Sequence, residues 1–381
     1  MNGSQSDWMN FAAEAWRIVG HPAALDPEII RTNPLDYDRA CLKWLESHFK
    51  RVFALVREIV HPYHMSLHQD RQWFSTNWKQ FYRGVPLWRQ LVPFVAWGSA
   101  LKNDEAVLAE SCVAYALVVG VSGTAVDQAT DLSTPQATAL VDSLTFAIMA
   151  LLAGVERITN SSRLLRLLPL YTRQIAEMLE LQASENRSRY VLPEHVDRAS
   201  LEAYCAGPSR LGVAIFFRLA VESAFLNAGL VADPSVTAWG EHMSRARQLT
   251  DEIVDVCDDV RCGLTTFPVL HALAASSNVD RLKVALAAVC SPAKANNLAG
   301  TEGCRQILSL LTLSNSLAAA GEKAWSYLLE AGLIIVAQFE PAEAFPLTLL
   351  MNQRFAHLER LRRRNWEELP IAEIPQPIGL L

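Results

Sequence analysis

Three stretches of this chain carry almost no polar side chain on any side of a helix, and they limit the fold more than any other feature. They are residues 111–126 (SCVAYALVVGVSGTAV), 143–155 (SLTFAIMALLAGV) and 211–221 (LGVAIFFRLAV). A helix that is apolar all round lies inside a larger helical assembly, because no side of it gains from contact with water. The sequence therefore predicts a bundle in which other helices surround these three.

Apolar residues recur every three or four positions through most of the remaining sequence, which is the period of an amphipathic helix. No run of alternating polar and apolar residues is long enough to indicate a sheet. The predicted helices cover about 36–61, 66–82, 88–101, 104–131, 134–159, 163–187, 209–229, 234–260, 266–275, 279–291, 302–319, 321–338 and 341–365. We predict an all-α fold with under about 5% strand, a single domain over 1–381, and an irregular tail at 367–381.

Composition excludes several classes of protein. The 381 residues are 51% hydrophobic and 19% charged, and the formal net charge of −6 does not fit a nucleic-acid-binding surface. The uncharged run 111–126 is too short for an ordinary membrane span. The seven cysteines stand singly, which indicates reduced thiols rather than a disulfide framework or a zinc site. With no hydrophobic leader near residue 1, we expect a cytoplasmic protein without a membrane span or a nucleic-acid partner, and a homodimer stays open.

Two carboxylates follow the first apolar stretch. Asp127 and Asp131 are at i and i+4, so they lie side by side on one helix face. Like charges repel, and burial strengthens the repulsion, so a cation between them would stabilise the pair. A solvated helix end explains the same spacing equally well.

A second acidic cluster is more specific. Asp251, Asp255 and Asp259 are at i, i+4 and i+8, Glu252 and Asp258 flank them, and no basic residue stands among them. Carboxylates in such a line do not stabilise a helix, whereas two facing clusters would hold a hard cation through oxygen. An acidic surface stripe is the structural alternative.

The segment at 247–273, RQLTDEIVDVCDDVRCGLTTFPVLHAL, resembles the second aspartate-rich region of trans-prenyltransferases, which are class I isoprenoid synthases. The family pattern is FQxxDDxxD followed by DxxxGKxTxPxLxAL. The matching positions here are Gln248, Asp251, Asp255, Gly263, Thr266, Pro268, Leu270, Ala272 and Leu273. The likeness extends over about 100–275, and it implies an isoprenoid-synthase-type bundle around a deep apolar cavity.

The resemblance also implies the ligands of that cavity. Mg²⁺ would bind to Asp127, Asp131, Asp251, Asp255 and Asp259, and it would bridge them to the diphosphate of a prenyl substrate. Arg210 lies within one residue of the family's diphosphate-binding lysine, and Gln248 is the family's glutamine. Both are therefore expected at the diphosphate.

Several residues on the apolar helices are candidates for the cavity wall. Tyr115, Phe146, Phe216 and Phe217 offer aromatic faces that stabilise a carbocation by cation–π attraction. Gly123 is small and stands where the family places the cavity floor. Ordinary core packing is the alternative for each aromatic residue.

Departures from the family pattern concern positive charge. The family's GGKRxRP segment is replaced by FYRGVPLWRQLVPF at 81–94, no arginine follows Asp131 in LSTPQATALVDSL, and Leu264 replaces lysine. In the family these cations hold a second diphosphate. Their loss resembles the prenyltransferase-like (class IB) terpene synthases, which include a fungal humulene synthase, and it implies a terpene cyclase that converts farnesyl diphosphate to a sesquiterpene hydrocarbon.

Three alternatives remain open. The first is a chain-elongating prenyltransferase in which the arginines at 360, 362, 363 and 364 supply the missing charge. The second is a head-to-head condensing enzyme of the squalene or phytoene type. The third is a non-catalytic helical partner protein.

Overall fold

The computed structural model describes residues 2–19, 26, 29–55, 86–115, parts of 166–184, 191, 193–207, 213–275, 277–289 and 298–363. Its helices are α1 (Asn2–Val19), α2 (Ile29–Thr32), α3 (Pro34–His48), α4 (Pro86–Ala100), α5 (Glu105–Tyr115), α6 (Arg198–Ala206), α7 (Val213–Asn227), α8 (Pro234–Val254), α9 (Val256–Arg261), α10 (Phe267–Ala275), α11 (Val279–Val289), α12 (Leu298–Leu313), α13 (Ser316–Gln338) and α14 (Phe345–Arg363). No strand occurs among these described residues. The prediction of an all-α fold is confirmed.

Helix α8 lies at the centre of the described bundle, between α7 and α13. Its Trp239 is fully buried and meets Trp97 of α4 edge to face, with ring centroids 5.1 Å apart. Phe217 of α7 contacts the same indole at 5.8 Å. Large aromatic side chains bury more apolar surface than other residues, so this contact fixes the three helices around a common core.

The first helix was not among the predicted ones, which begin at residue 36. Helix α1 packs against α13 and α14. Its Trp8 is fully buried and lies so close to Gly332 that a Cβ atom there would come within 2.8 Å of the indole. A glycine in α13 thus makes the space that holds the N-terminal helix.

A second difference concerns the turn between α12 and α13. The prediction put a break near residue 320, but α13 begins at Ser316 and runs on without interruption to Gln338. The break lies at Asn315, whose φ of 53° is in the left-handed region that asparagine tolerates better than most residues.

Other boundaries follow the apolar pattern closely. The predicted helix at 234–260 is present as α8 and α9, and those at 266–275 and 279–291 correspond to α10 and α11. None of the described helices is both long and apolar enough to span a bilayer. Predicted helices at 66–82 and 134–159 and the tail at 367–381 lie outside the described residues.

Candidate active site

The second acidic cluster lies at the junction of α8 and α9. Helix α8 ends at Val254, Asp255 stands between the helices with φ −101° and ψ 11°, and α9 begins at Val256. The N–H of Asp255 donates to the Asp251 carbonyl at 2.8 Å, and the N–H of Asp259 donates to the Asp255 carbonyl at 2.8 Å. The helical hydrogen-bond pattern therefore continues through the junction, and the three aspartates follow one another about one turn apart.

Two carboxylates of the cluster already have guanidinium partners. Arg247 Nε lies 3.2 Å from Asp251 Oδ2, and Arg261 Nη1 lies 3.0 Å from Asp258 Oδ1. Arg247 is absent from the predicted site, although its spacing of four residues before Asp251 is a signal that the sequence contains. The cluster is thus less negative than the run of aspartates alone indicates.

Asp255 has no basic partner among the described residues. Its side chain reaches solvent, but neighbouring protein atoms cover enough of it to disfavour the charged form. Burial, followed by the negative charges of Asp251 and Asp258, raises the pKa of Asp255 to about 6. A cation beside this carboxylate would favour its charged form and so offset both effects.

Glu252 differs from the aspartates because it is buried and fully engaged in hydrogen bonds. Its Oε1 accepts from the Tyr204 hydroxyl and, at 2.7 Å, from Gln248 Nε2, and its Oε2 accepts from the N–H of Phe267 at 2.9 Å. Gln248 Nε2 also donates to the Tyr204 oxygen at 3.3 Å. Glu252 therefore joins α6, α8 and α10, and Gln248 belongs to this network.

A tight turn brings α10 back to Glu252. The N–H of Gly263 donates to the Val260 carbonyl at 3.0 Å, and the N–H of Leu264 donates to the Asp259 carbonyl at 2.8 Å. These two bonds are the Schellman pattern that ends a helix, and it requires the positive φ of 78° seen at Gly263. The turn therefore explains why the matched sequence pattern has a glycine at position 263.

Two predicted cavity residues are described, and both are buried in the core. The Tyr115 ring lies 4.8 Å from that of Phe94, and burial raises the Tyr115 pKa while the positive charge of Arg247 opposes the increase. Phe217 packs against Trp239, and the guanidinium carbon of Arg354 lies 5.7 Å from its ring centroid. Their roles toward a substrate stay predictions.

The remaining predicted site residues lie outside the described part of the chain. They are Asp127, Asp131, Arg210, Gly123, Phe146 and the side chain of Phe216. The expected approach of the two aspartate motifs therefore also stays a prediction.

The donor set on α8 and α9 fits a hard divalent cation but is incomplete alone. Among the described residues, no three His, Cys, Asp or Glu side chains converge closely enough to hold a metal ion. Asp251 and Asp255 offer the oxygen ligands that Mg²⁺ prefers, and the raised pKa of Asp255 marks a place where added positive charge is favourable. Further ligands would have to come from elsewhere in the chain.

The C-terminal arginines have carboxylate partners of their own. Arg360 Nη1 lies 3.7 Å from the buried Asp38 of α3, and Arg362 and Arg363 lie 3.5 Å and 3.2 Å from Glu359. The fourth arginine of the run, at 364, lies outside the described residues. Arg360 therefore joins α14 to α3, whereas Arg362 and Arg363 pair within α14, and the charge of all three is already partly balanced.

No protein-family model matches the chain, and no curated protein matches its sequence. Several solved structures resemble its fold. A polyprenyl synthase from Caulobacter crescentus CB15, complexed with calcium and isoprenyl diphosphate, superposes with a TM-score of 0.63 at 18% identity, over 83% of this chain and 97% of that one. A decaprenyl diphosphate synthase from Rhodobacter capsulatus gives 0.61 at 14% identity, over 85% and 100%. A geranylgeranyl pyrophosphate synthase from Lactobacillus brevis, complexed with citrate, gives 0.57 at 18%, over 84% and 99%.

Identities this low establish the fold and nothing finer. The chain has the all-α isoprenoid synthase fold, as the second aspartate-rich region implies.

Proposed function

We propose that this protein is a Mg²⁺-dependent enzyme that ionises an allylic prenyl diphosphate. The observation that supports this most directly is the acidic junction of α8 and α9, where Asp251 and Asp255 lie one turn apart and the pKa of Asp255 is raised by burial and by its acidic neighbours. An isoprenoid synthase fold gives such a junction a substrate class, because the similar structures are prenyl diphosphate synthases.

The candidate site residues would then divide the work between the metal ion and the diphosphate. Asp251 and Asp255 would bind Mg²⁺ together with Asp127 and Asp131, and Arg210 would hold the diphosphate oxygens by a charge-assisted hydrogen bond. Mg²⁺ held by these carboxylates would supply positive charge to stabilise the departing diphosphate. Apolar side chains exclude water from the allylic cation.

The fate of the cation separates two candidate reactions. The similar structures named above all make prenyl diphosphates, and this favours chain elongation with isopentenyl diphosphate. Cyclisation of farnesyl diphosphate is favoured by the absence of the family's cations after Asp131 and at Leu264. The carboxylate partners of Arg360, Arg362 and Arg363 weaken the idea that this cluster replaces them.

Incubation with each allylic diphosphate, with and without isopentenyl diphosphate, tests both the ionisation and the fate of the cation. Release of inorganic diphosphate that requires Mg²⁺ and is lost in Asp255→Asn supports ionisation, and Asp280→Asn on α11 is the matched control. No release from any allylic substrate would contradict the proposal. Gas chromatography detects a sesquiterpene hydrocarbon, whereas longer prenyl diphosphates in the presence of isopentenyl diphosphate identify elongation.

A further inference from the structure

Two buried cysteines meet where α9 packs against α12. Cys257 of α9 is 7% exposed, Cys304 of α12 is fully buried, and both are free thiols. The Cys304 Sγ atom lies 3.9 Å from the Cys257 carbonyl oxygen, and the two thiols interact directly with each other. Because the two residues are 47 positions apart in sequence, only the folded chain brings them together.

Helix α12 is held closely in place at this contact. Gly303 packs against α11 so tightly that a Cβ atom there would clash with the Val289 side chain. Cys304 is the next residue, so this close approach also fixes the position from which its side chain reaches α9. The meeting of the two thiols therefore follows from how α11 and α12 pack.

A guanidinium group lies beside the same pair. Arg261, one turn after Cys257, is buried, and its Nη1 lies 3.0 Å from Asp258 Oδ1. Its Nε is buried without a hydrogen-bond acceptor among the described residues. The hydrogen bond with Cys257 is the main cause that lowers the pKa of the Cys304 thiol, and Arg261 lowers it further, whereas burial raises it. A thiolate at Cys304 would thus have both a donor and a positive charge beside it.

These contacts are the ones that thiol oxidation requires. The reactive form of a cysteine is its thiolate, which a neighbouring cation favours, and a second thiol in contact can then complete a disulfide. Helix α9 is only six residues long and lies between the Asp255 junction and the Gly263 turn. Short elements open locally more easily than the centre of a bundle, so a small oxidant can reach the pair without global unfolding.

We propose that Cys257 and Cys304 are a redox-active pair that a hydroperoxide converts to a disulfide. The Cys304 thiolate attacks a peroxide oxygen, the O–O bond breaks, and hydroxide leaves while Cys304 becomes a sulfenic acid. Cys257 then attacks the Cys304 sulfur, and its proton leaves with the hydroxyl group as water. With hydrogen peroxide, two thiols lose two electrons and two protons, and the peroxide is reduced to two molecules of water.

The disulfide would cross-link α9 to α12 beside the acidic junction. Cys257 lies between Asp255 and Asp259, so the bond would tie this turn of α9 to a neighbouring helix and limit its local opening. A thiol reductant would reverse the change. The pair itself depends on neither a metal ion nor the reaction proposed above.

Peptide mapping of the full chain after treatment with hydrogen peroxide tests the pair. Free thiols are blocked with N-ethylmaleimide before trypsin digestion without reductant. Trypsin places Cys257 in the peptide 248–261 and Cys304 in the peptide 295–305, and neither contains another cysteine. We expect these two peptides to be joined in the folded protein and to be released by dithiothreitol.

The same treatment in urea provides the control for chance pairing, because an unfolded chain should give a mixture of disulfides. A folded protein without the link between 248–261 and 295–305 would overturn the proposal, as would a folded protein that gives the same mixture as the unfolded chain. Cys304→Ala should abolish the link, whereas Cys205→Ala, on α6, should keep it. Thermal melts show whether each variant is folded.

The rate of disulfide formation tests the part played by Arg261. We expect Arg261→Gln to slow the reaction several-fold and Arg261→Lys to restore part of the rate, because lysine keeps the charge. Both are compared in a Cys262→Ala background, since Arg261→Gln removes the trypsin site that separates Cys257 from Cys262. Arg305→Gln, which removes an exposed charge next to Cys304, is the matched control. An unchanged rate in Arg261→Gln would contradict the thiolate step.

Thermal melting gives a second readout. The oxidised protein should melt several degrees above the reduced one, because the bond restricts the unfolded chain, and Cys257→Ala should not respond to peroxide. An oxidised protein that melts no higher would contradict the proposed geometry. Asp255→Asn should form the bond as readily as the wild type even though it is expected to lose turnover, so failure of this pair and failure of the proposed reaction are distinguishable.

Discussion

The buried carboxylate of Glu252 lends itself to a quantitative test, because three donors from three helices meet on it. Tyr204 and Gln248 donate to Oε1, and the N–H of Phe267 donates to Oε2. Hydrogen bonds to a charged group contribute about 1.5–3 kcal/mol each, and a buried donor left without an acceptor costs about 1–3 kcal/mol. Glu252 should therefore be among the polar residues on which stability depends most.

The substitution Glu252→Gln keeps the shape but removes the charge. Its carbonyl can still accept from Phe267, and its amide then faces Tyr204 and Gln248, which can turn to accept instead of donate. We expect a loss of about 1–3 kcal/mol in the free energy of unfolding. Glu252→Ala leaves the Phe267 N–H without its acceptor and should cost about 3–5 kcal/mol.

Urea denaturation followed by circular dichroism measures these losses. The exposed Glu46 of α3 provides the control, since Glu46→Gln should change stability by less than about 0.5 kcal/mol. Combining Glu252→Gln with Tyr204→Phe should give a coupling energy of about 1 kcal/mol or more, because the two residues share a hydrogen bond. A fully stable Glu252→Gln protein with no coupling to Tyr204 would refute this account of the network.

Three further predictions concern other sites. Because the folded pKa of Asp255 is raised from 3.8 to about 6, the folded chain holds its proton more tightly, and this carboxyl contributes less stability as pH rises through that window. Asp255→Asn should therefore raise the free energy of unfolding of the metal-free protein at pH 7.5 by up to about 1 kcal/mol, with solvent screening limiting the gain. Thermal melts at pH 4 and pH 7.5 test this, and a stabilisation at pH 4 as large as that at pH 7.5 would contradict it. Gly263→Ala should destabilise the protein by about 1–2 kcal/mol, because φ is 78° there. Urea titration measures this loss. The control is Gly229→Ala, where φ is also positive but a Cβ atom would meet open space, so the comparison separates backbone strain from steric crowding. Asp38→Asn should lower the free energy of unfolding by about 1–3 kcal/mol, since Gln353 donates to this buried carboxylate at 2.6 Å and Arg360 lies beside it. An unchanged free energy of unfolding in a urea titration would mean that the contact between α3 and α14 does not depend on the charge of Asp38.

Local apolar pattern is sufficient to predict most of the described helices, because the residues that define each buried face are close in sequence. Helix α8 shows this well, since Val236, Trp239, Met243 and Ala246 are buried at helical spacing. Helix α1 shows the limit. The space for Trp8 is created by Gly332 on α13, and no local pattern near residue 8 reveals a partner more than three hundred positions away.

The candidate site likewise contains features that the sequence predicts and features that only the folded chain reveals. The one-turn spacing of Asp251, Asp255 and Asp259 is a local property and could be predicted from the sequence. The burial of Glu252 could not, because it depends on donors from Tyr204 and Phe267 that only the folded chain brings together.

The charge balance at the α8–α9 junction explains why its acidic residues should differ in their response to a metal ion. Asp251 is paired with Arg247 and Asp258 with Arg261, whereas Asp255 has a pKa raised by burial and then by the negative charges of Asp251 and Asp258. A metal ion therefore gains the most binding free energy at Asp255, whereas at Asp251 it must compete with the Arg247 guanidinium, which is already 3.2 Å away. A diphosphate would change that competition, because Arg247 could then pair with phosphate oxygens and release Asp251. We therefore expect metal and diphosphate to strengthen each other's binding, since each removes an obstacle to the other.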